Sequence, residues 1–363
     1  MRRSFYPILL CLLLAACSAT SSREEWQSAK FAFAFLEKTG AKSVYFNGAA
    51  WSEALQIKPG WLQPEDHAAG SEHLRSLAQA ALSPKLFRQL DRQERFDALL
   101  LAGDPVQFRA LSEHLQKTQD WSLEWVDAWC SVYRRQKGGG LSKEAVLDIA
   151  KRWDQAAPKV RAAALAAMSE RLVAAFNLDA AWEVLQIAKL AHEKCAAVWT
   201  AEGTYRLARG EWTQAVAAAD RALKVGGRDR AARSVKAQGL YFSKHYEEAY
   251  ELSRALLDEA PEDPVMLFTH AKISHEVRAL QEETRLLRKL IDIAERERRP
   301  TSWYRVYLGQ ALAMTGDGPG ALSEFDLALG DSELPEDQRE FAKSARARVA
   351  LRVKPGVATG GTE

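Results

Sequence analysis

The chain lacks the residues and motifs on which most enzyme sites depend. Its 363 residues include only four cysteines and seven histidines. No H-E-x-x-H, C-x-x-C, G-x-S-x-G or G-x-x-x-x-G-K motif occurs. His270 and His275 lie five residues apart and do not share a helical face, so we expect surface or groove histidines rather than metal ligands. The sequence predicts no catalytic activity, no metal and no cofactor.

Excess charge and strand-forming patterns are scarce as well. The chain has 50 basic and 48 acidic residues. Without Arg2 and Arg3, which belong to the export signal described next, the two counts are equal, and a near-neutral protein lacks the basic footprint of a general nucleic-acid binder. Most apolar residues recur at three- and four-residue spacing, which is the helical period. The sequence therefore predicts an all-α fold.

The first seventeen residues have the order of an export signal. Two arginines precede a short apolar run, Pro7–Ala16, which is about half of the ~20 residues that a membrane-spanning helix needs. Leu14, Ala15, Ala16 and Cys17 resemble the lipobox of bacterial lipoproteins. That resemblance implies that 1–16 are removed and that Cys17 carries a diacylglyceryl thioether and, on its amino group, an acyl chain such as palmitate. A buried N-terminal helix is the alternative.

Cys17 and the residues after it predict where in the cell the protein is located. Several acyl chains would hold it on a membrane, since a single chain binds only marginally. Ser18, in place of an acidic residue, favours the periplasmic face of the outer membrane by the enterobacterial sorting rule. Residues 17–25 form a short polar tether. Of the remaining cysteines, Cys130 and Cys195 are expected to be buried free thiols, with a disulfide as the alternative.

A regular repeat organises the second half of the chain, with a period of about 34 residues that is typical of helix–turn–helix arrays. Ala181, Ala215 and Ala249 are equally spaced, and the same interval separates Leu178, Trp212 and Tyr246, and Ser169, Gly203 and Ala237. Small residues at fixed places let neighbouring helices approach closely, and one helix pair cannot bury its apolar face alone. The pattern predicts stacked helix–turn–helix units.

These units resemble tetratricopeptide repeats (TPRs). The resemblance is clearest over 162–335, in units that begin at 162, 196, 230, 264 and 302, and it implies a right-handed superhelical solenoid. The unit 264–297 departs from the pattern, because Glu283 stands where alanine is expected and about four extra residues follow. Weaker units are predicted at 89–122 and 126–159, the latter with Ser142 as a helix N-cap, so that the solenoid covers 89–335.

The ends of the chain do not repeat. Residues 26–88 are expected to form an irregular, mostly helical cap with a short extended segment. Residues 336–353 are expected to form a polar helix that caps the array, followed by a disordered tail at 354–363.

The resemblance also implies a binding groove. In this family the first helix of each unit lines a concave surface that takes an extended peptide or a partner's helix. Carried over to this sequence, it predicts a groove that includes Thr200, Thr204, Ser234, Gln238, Tyr241, Phe268, Lys272, His275, Trp303, Val306, Tyr307 and Gln310. The aromatics could instead belong to the core or be covered by the C-terminal helix. Thr200, Thr204, Ser234 and Gln238 do not supply the lysine-and-asparagine clamp of the chaperone-tail-binding members.

We expect from this a scaffold or adaptor for protein partners in the bacterial cell envelope, with no role for nucleic acid. Outer-membrane assembly, peptidoglycan enzymes, pili and secretion remain open as the process served, as does the oligomeric state. Two alternatives are kept. One is an envelope polymer- or lipid-binding protein that uses a basic face at Arg339, Lys343 and Arg346. The other is an enzyme with its site in 24–88.

Overall fold

The computed structural model of the chain describes residues 23–47, 72–105, 107–118, 120–135, 140–297, 299–332 and 334–352. The predicted signal peptide, the lipidation site Cys17 and the predicted tail lie outside these ranges. The chain divides into two compact units, Met1–Lys236 and Ala237–Glu363. We describe each by itself, as the first unit and the second unit.

The first unit begins with a four-stranded sheet and the helices around it. In chain order its elements are α1 (Arg23–Lys38), β1 (Val44–Phe46), α2 (Glu72–Ala80), α3 (Pro84–Glu94), β2 (Ala98–Ala102), α4 (Arg109–Thr118), β3 (Trp121–Val126) and β4 (Cys130–Arg135). The strand order is β1-β2-β4-β3. β1 pairs in parallel with β2, whereas β2 and β3 each pair antiparallel with β4.

Both faces of this sheet are buried. Leu99 and Leu101 of β2 pack with Phe87 of α3 and Leu111 of α4 on one face. The other face shares a core with residues of α1 and of the helices that follow the sheet. A strand covered on both sides reads as a continuous apolar run rather than an alternating one, which accounts for the ALLLA sequence of β2.

The sheet corrects the predicted boundaries of the solenoid. The helix pairs predicted at 89–122 and 126–159 are wrong, because β2 lies within the first segment and β4 within the second, so that neither segment is a pair of successive helices. β3 and β4 form an antiparallel hairpin rich in Trp, Val and Tyr, residues that favour strands. The short extended segment expected within 26–88 corresponds to β1.

The remaining helices of the first unit follow the hairpin. They are α5 (Lys143–Ala150), α6 (Pro158–Ala174), α7 (Leu178–His192), α8 (Ala196–Ala208), α9 (Trp212–Gly226) and α10 (Arg230–Phe242), within which the division between units falls. The hydroxyl of Ser142 accepts a hydrogen bond from the Ala145 amide, so its predicted role as N-cap of α5 is confirmed. α6 packs on α7, α8 on α9, and α8 also on α6.

The second unit continues with helices alone in its described part. These are α11 (Tyr246–Glu259), α12 (Pro264–Glu276), α13 (Leu280–Arg296), α14 (Ser302–Thr315), α15 (Gly318–Leu329) and α16 (Glu336–Arg352). Each of them packs on the next in chain order. The predicted all-α class and stacked helix pairs are confirmed, and the four-stranded sheet is an addition that the sequence analysis missed.

Small residues lie where neighbouring helices cross, both within a pair and between successive pairs. Ala181, Ala215 and Ala249 are fully buried. A Cβ atom on Gly203 would lie 2.6 Å from Cγ1 of Val235, and one on Gly309 would lie 2.9 Å from the Phe325 ring. These positions are occupied by alanine or glycine because the neighbouring helices come this close, as the repeat pattern predicts.

Left-handed backbone recurs with the same period. Phe176, Gly210, Lys244 and Arg278 have positive φ and are spaced at the interval of the repeat, and Gly316 follows after the extra residues of the unit 264–297. Each ends the first helix of a pair. Three of the five are not glycine, although a side chain in this conformation costs about 1–2 kcal/mol. The turn geometry is therefore maintained by the packing of the pair rather than by the residue at the turn.

This strain gives a prediction for Lys244, which is exposed. Lys244→Gly is expected to raise the free energy of unfolding of the second unit by about 0.5–1 kcal/mol, because glycine adopts positive φ without a steric penalty. Urea unfolding measures it. The reverse change, Gly316→Ala, is the matched control, since a Cβ there meets open space, and it should cost about 1 kcal/mol. A destabilised Lys244→Gly variant would contradict this account.

A buried polar network joins the sheet to the first helix pair. Arg171 of α6 is 4% exposed, and its guanidinium donates to the carbonyls of Ala128 (3.0 Å) and Gly103. Nearby, the fully buried Asp127 carboxylate accepts from the Trp153 indole (2.8 Å) and the Ala128 amide (2.7 Å). The sheet and the helices of the first unit therefore form one cooperative body.

Candidate protein-binding surface

The predicted groove residues divide between the two units. Thr200 and Thr204 belong to the first unit. Thr200 is 5% exposed and its hydroxyl donates to the Ala196 carbonyl of its own helix (3.2 Å), so it offers no group to a partner. Thr204 is half-buried and bonds to the Thr200 carbonyl in the same way. The other predicted residues from Gln238 onwards belong to the second unit, where Val306 is buried, and most of them come together.

We call the partly exposed aromatic cluster of the second unit the aromatic face. It consists of Tyr241, Phe242, Phe268, Trp303, Tyr304 and Tyr307. The ring of Phe268 lies 5.4 Å from Tyr304 and 5.2 Å from Tyr307, both edge-on, and Trp303 lies 6.0 Å from Tyr307. Tyr241 and Phe242 lie 4.9 Å apart. Phe242 remains 41% exposed, and Val265, three residues before Phe268 on α12, is 40% exposed.

The aromatic face was only partly predicted. Tyr241, Phe268, Trp303 and Tyr307 were expected there, with core burial as the alternative for the aromatics, and all four are half-buried. Phe242 and Tyr304 were missed. The sequence offers one signal for them, since each is adjacent to or three residues from a predicted member, but helix rotation decides which neighbour faces the same way.

Lys272 lies against this face. Its Nζ atom is 5.0 Å from the ring centroid of Phe268, 5.2 Å from Tyr241 and 5.6 Å from Phe242. Burial lowers the pKa of Lys272, since desolvation disfavours its charged form. Burial likewise raises the pKa of Tyr241 to about 12. The face therefore combines apolar area with one half-buried cation.

His275 and Glu283 explain the departure in the unit 264–297. Glu283, at the position expected to be alanine, is 1% exposed, and both its oxygens lie 3.1 Å from Nδ1 of His275. Gln310 approaches the other imidazole nitrogen at 3.4 Å. The hydrogen bond to Glu283 raises the pKa of His275. A polar pair thus replaces the small crossing residue, and the predicted groove residue His275 is tied to its own helix pair.

His270 is not the surface or groove histidine that the sequence predicted. It is 1% exposed, its Nδ1 lies 2.7 Å from the Ser253 hydroxyl, and it packs 4.7 Å from the Tyr250 ring. Burial lowers its pKa to about 4. The sequence could not place it, because a histidine among apolar residues of a first helix fits either face.

A pH prediction follows for His270. Its folded-state pKa lies below the ordinary 6.5, so the stabilisation is present above pH 6.5 and is lost as the pH falls towards 4, by at most about 3 kcal/mol. The pKa of His275 is raised by its hydrogen bond to Glu283, so its effect on stability has the opposite sign and is common to the parent and the His270 variant. Urea unfolding at pH 4.5 and 7 should show a smaller acid-induced loss for His270→Asn than for the parent. Equal losses would contradict burial of a neutral imidazole.

The basic residues of α16 are engaged within the chain. Arg339 donates to the carbonyls of Leu329 (3.0 Å) and Asp331 (2.6 Å), and Arg346 pairs with Asp326. Lys343 pairs with Glu340 at 2.7 Å. Arg339 thus caps the end of α15, which weakens the alternative of a basic face for an anionic polymer or lipid.

A polar cavity of about 790 Å³ lies in the first unit beside β3. Its lining includes Ser112, Trp121, Tyr133, Phe176 and Asn177, and none of the described lining residues is histidine, cysteine, lysine or arginine. Elsewhere, Lys189 and Arg206 lie over the Trp182 ring and both pair with Glu202, so these cations are used internally.

Three further observations concern metal binding, the cysteines and membrane-spanning helices. Within the described ranges, no three or more His, Cys, Asp or Glu side chains are grouped as metal ligands would be. Cys130 and Cys195 are buried free thiols, as expected. No helix in the described part of the chain has the length and apolar character to cross a membrane. Residues 48–71, part of the segment assigned to the enzymatic alternative, lie outside the described residues.

Comparison with known proteins adds information on the fold. The sequence matches no protein-family model and no curated protein. A crystal structure of the APC/C hetero-tetramer Cut9–Hcn1 is similar at a TM-score of 0.50 and 12% identity, over 84% of this chain and 46% of that one. Two shorter structures cover about half of this chain. YrrB, described as a TPR protein with an unusual peptide-binding site, gives a TM-score of 0.42 at 14% identity, covering 56% of this chain and 100% of its own. PilF of Pseudomonas aeruginosa gives 0.43 at 17%, covering 54% and 92%.

The fold is therefore a TPR-like helical solenoid preceded by a small sheet. The likeness to Cut9–Hcn1 extends over most of the chain. The regular spacing of buried alanines and of positive-φ residues shows the same repeat in this chain's own geometry.

Proposed function

We propose that the protein is a membrane-anchored adaptor of the bacterial cell envelope that binds a protein partner through the aromatic face. The observation that carries this proposal is the grouping of six partly exposed aromatic rings with Lys272 lying over three of them. Contiguous exposed apolar surface with polar surroundings is typical of protein interaction sites, where Trp and Tyr contribute most of the binding energy.

Membrane attachment through Cys17 forms the second part of the proposal. It is supported by the lipobox-like sequence Leu14–Cys17 and by the apolar run before it, which is too short to span a bilayer. The polar tether would separate the folded units from the membrane surface. The periplasmic face of the outer membrane is the address that Ser18 favours.

The docking part is tested by affinity purification from detergent-solubilised host envelopes. The bait is the full chain or its Phe268→Ala and Trp303→Ala variants, and Leu190→Ala is the matched control because Leu190 of the first unit is 88% exposed. A partner retained by the parent and the control, and reduced at least about tenfold by each aromatic variant, supports the proposal. Equal recovery from all four baits contradicts it.

The anchor is tested separately by fractionation of cells that produce the Cys17→Ala variant. We expect the parent in the membrane fraction and the variant in a soluble or unprocessed form. A variant that stays as tightly membrane-bound as the parent would refute lipid anchoring at Cys17, while leaving the docking result unaffected.

A further inference from the structure

Lys272 is a cation without a counter-ion. Among the described residues no carboxylate lies within ion-pairing distance of its Nζ and no hydrogen bond to it is formed, whereas the exposed lysines Lys143, Lys151 and Lys343 each pair with an acid. Its neighbours are the ring faces of Phe268, Tyr241 and Phe242, at 5.0–5.6 Å. A half-buried ammonium arranged in this way is incompletely satisfied.

The rings compensate for only part of the lost hydration. A cation over an aromatic face gains about 0.5–2 kcal/mol, which depends on how far it is desolvated. An ammonium has three N–H donors, and ring faces do not replace the strong acceptors that water supplied. The free donors of Lys272 can therefore bind an acceptor that approaches along the aromatic face.

We propose that Lys272 anchors a carboxylate of the bound partner segment, with apolar or aromatic residues of that segment packed on either side against the aromatic face. The inference rests on the proposed function and names the chemistry of the partner. It is argued from charge complementarity, because an unpaired cation in apolar surroundings matches a carboxylate that is flanked by apolar residues.

The geometry favours a carboxylate over the other charged groups. Phosphate groups are held best by arginine forks or by several cations together. Here Lys272 is the one cation over the rings of Tyr241 and Phe268 among the described residues, and no arginine lies over these two rings there. A cationic segment is disfavoured, because Lys272 already occupies these ring faces and would repel it. A single carboxylate matches the single ammonium.

The experiment uses displayed random nine-residue peptides, selected on the full chain and on Phe268→Ala. Selected peptides are then synthesised with Asp or Glu, and with the matching amide Asn or Gln, and their affinities are measured by fluorescence anisotropy. We expect Phe268-dependent peptides enriched in an acidic residue between apolar ones. The acid-to-amide change should weaken binding to the parent by about tenfold or more, as for a charge-assisted hydrogen bond.

Variants at Lys272 complete the thermodynamic cycle. Lys272→Gln and Lys272→Met should each reduce affinity for the acidic peptide about tenfold and abolish the difference between acid and amide. Lys272→Met retains the packing of the alkyl chain, so a loss common to both variants does not arise from unfolding. Lys343→Gln removes an exposed charge of the same sign and should leave the affinity unchanged. Peptides ending at the acidic position, with free or amidated ends, show whether a side chain or a chain end supplies the carboxylate.

The outcomes separate this inference from the function on which it rests. Peptides that depend on Phe268 but show no acidic enrichment, or bind Lys272→Met as tightly as the parent, overturn the carboxylate anchor and leave the docking function intact. Enrichment of lysine or arginine also overturns the anchor. If no selected peptide depends on Phe268, the aromatic face is not a peptide-binding surface, and the docking function fails together with the anchor.

Discussion

Arg171→Met is expected to lower the free energy of unfolding of the first unit by about 4 kcal/mol. The substitution keeps much of the side-chain volume but leaves the carbonyls of Gly103 and Ala128 without their buried donor. It also removes the positive charge that lies near Asp127 and Asp104. Removing one partner from a buried charged network typically costs about 3–5 kcal/mol, because the remaining groups stay desolvated and unpaired.

Tryptophan fluorescence during urea unfolding measures this effect selectively, since Trp303 is the one tryptophan of eleven that lies beyond residue 236. Arg161→Met is the matched control. Arg161 pairs with Asp154 at 2.6 Å in a partly exposed position, and its loss should cost less than about 1 kcal/mol. A cost for Arg171→Met as small as that of the control would show that the sheet and the helix pair are not joined through this network.

Gly309→Val is expected to destabilise the second unit by about 3 kcal/mol. A Cβ atom at this position would lie 2.9–3.1 Å from three carbons of the Phe325 ring, which is fully buried. Overpacking of this kind forces backbone shifts that typically cost about 1–3 kcal/mol, and the gain in helix propensity when valine replaces glycine, a few tenths of a kcal/mol (roughly 0.3), does not offset this cost.

Hydrogen exchange of peptides from α14 and α15 follows this unit directly. Phe325→Leu provides the matched test, because it removes the ring atoms with which the new side chain collides. The double variant Gly309→Val/Phe325→Leu should be more stable than the sum of the two single changes predicts, with a coupling of about 1 kcal/mol or more. Additive effects would mean that the two residues do not meet at the helix crossing.

The repeat could be predicted because the same helix-packing contacts recur at a fixed interval along the sequence. Ala181, Ala215 and Ala249 must be small wherever a second helix crosses, so their equal spacing is visible without a structure. The residue after the first helix of each pair adopts the same left-handed backbone conformation. Because three of these five residues are not glycine, this second recurring feature cannot be recognised in the sequence.

The sheet could not be predicted by the same reasoning. β2 is a run of five buried residues, and a short apolar run does not distinguish a strand from a buried helix segment. Extending the period of the repeat towards the N-terminus placed helix pairs over it. The strand pairing depends on contacts between Val44 and Ala98, which are far apart in sequence, and no local pattern encodes such a pairing.

The candidate site shows the same limit. The resemblance to TPRs implied one surface for Tyr241, Phe268 and Lys272. It could not show that Phe242 completes the ring contacts of Lys272, nor that Glu283 is buried against His275. Both facts depend on side-chain contacts between successive helices, where the exact rotation of each helix decides the neighbour.

Site-specific photo-crosslinking in living host cells tests most directly whether the aromatic face is the working surface. The photoreactive residue is placed at Phe242, which is 41% exposed, or at Phe268, and in the control at the exposed Arg221 of the first unit. Captured proteins are identified by mass spectrometry. We predict one discrete partner, trapped from Phe242 and Phe268, absent from Arg221, and lost when Trp303→Ala is introduced alongside the probe. No capture from the aromatic face, or equal capture from Arg221, would contradict the account.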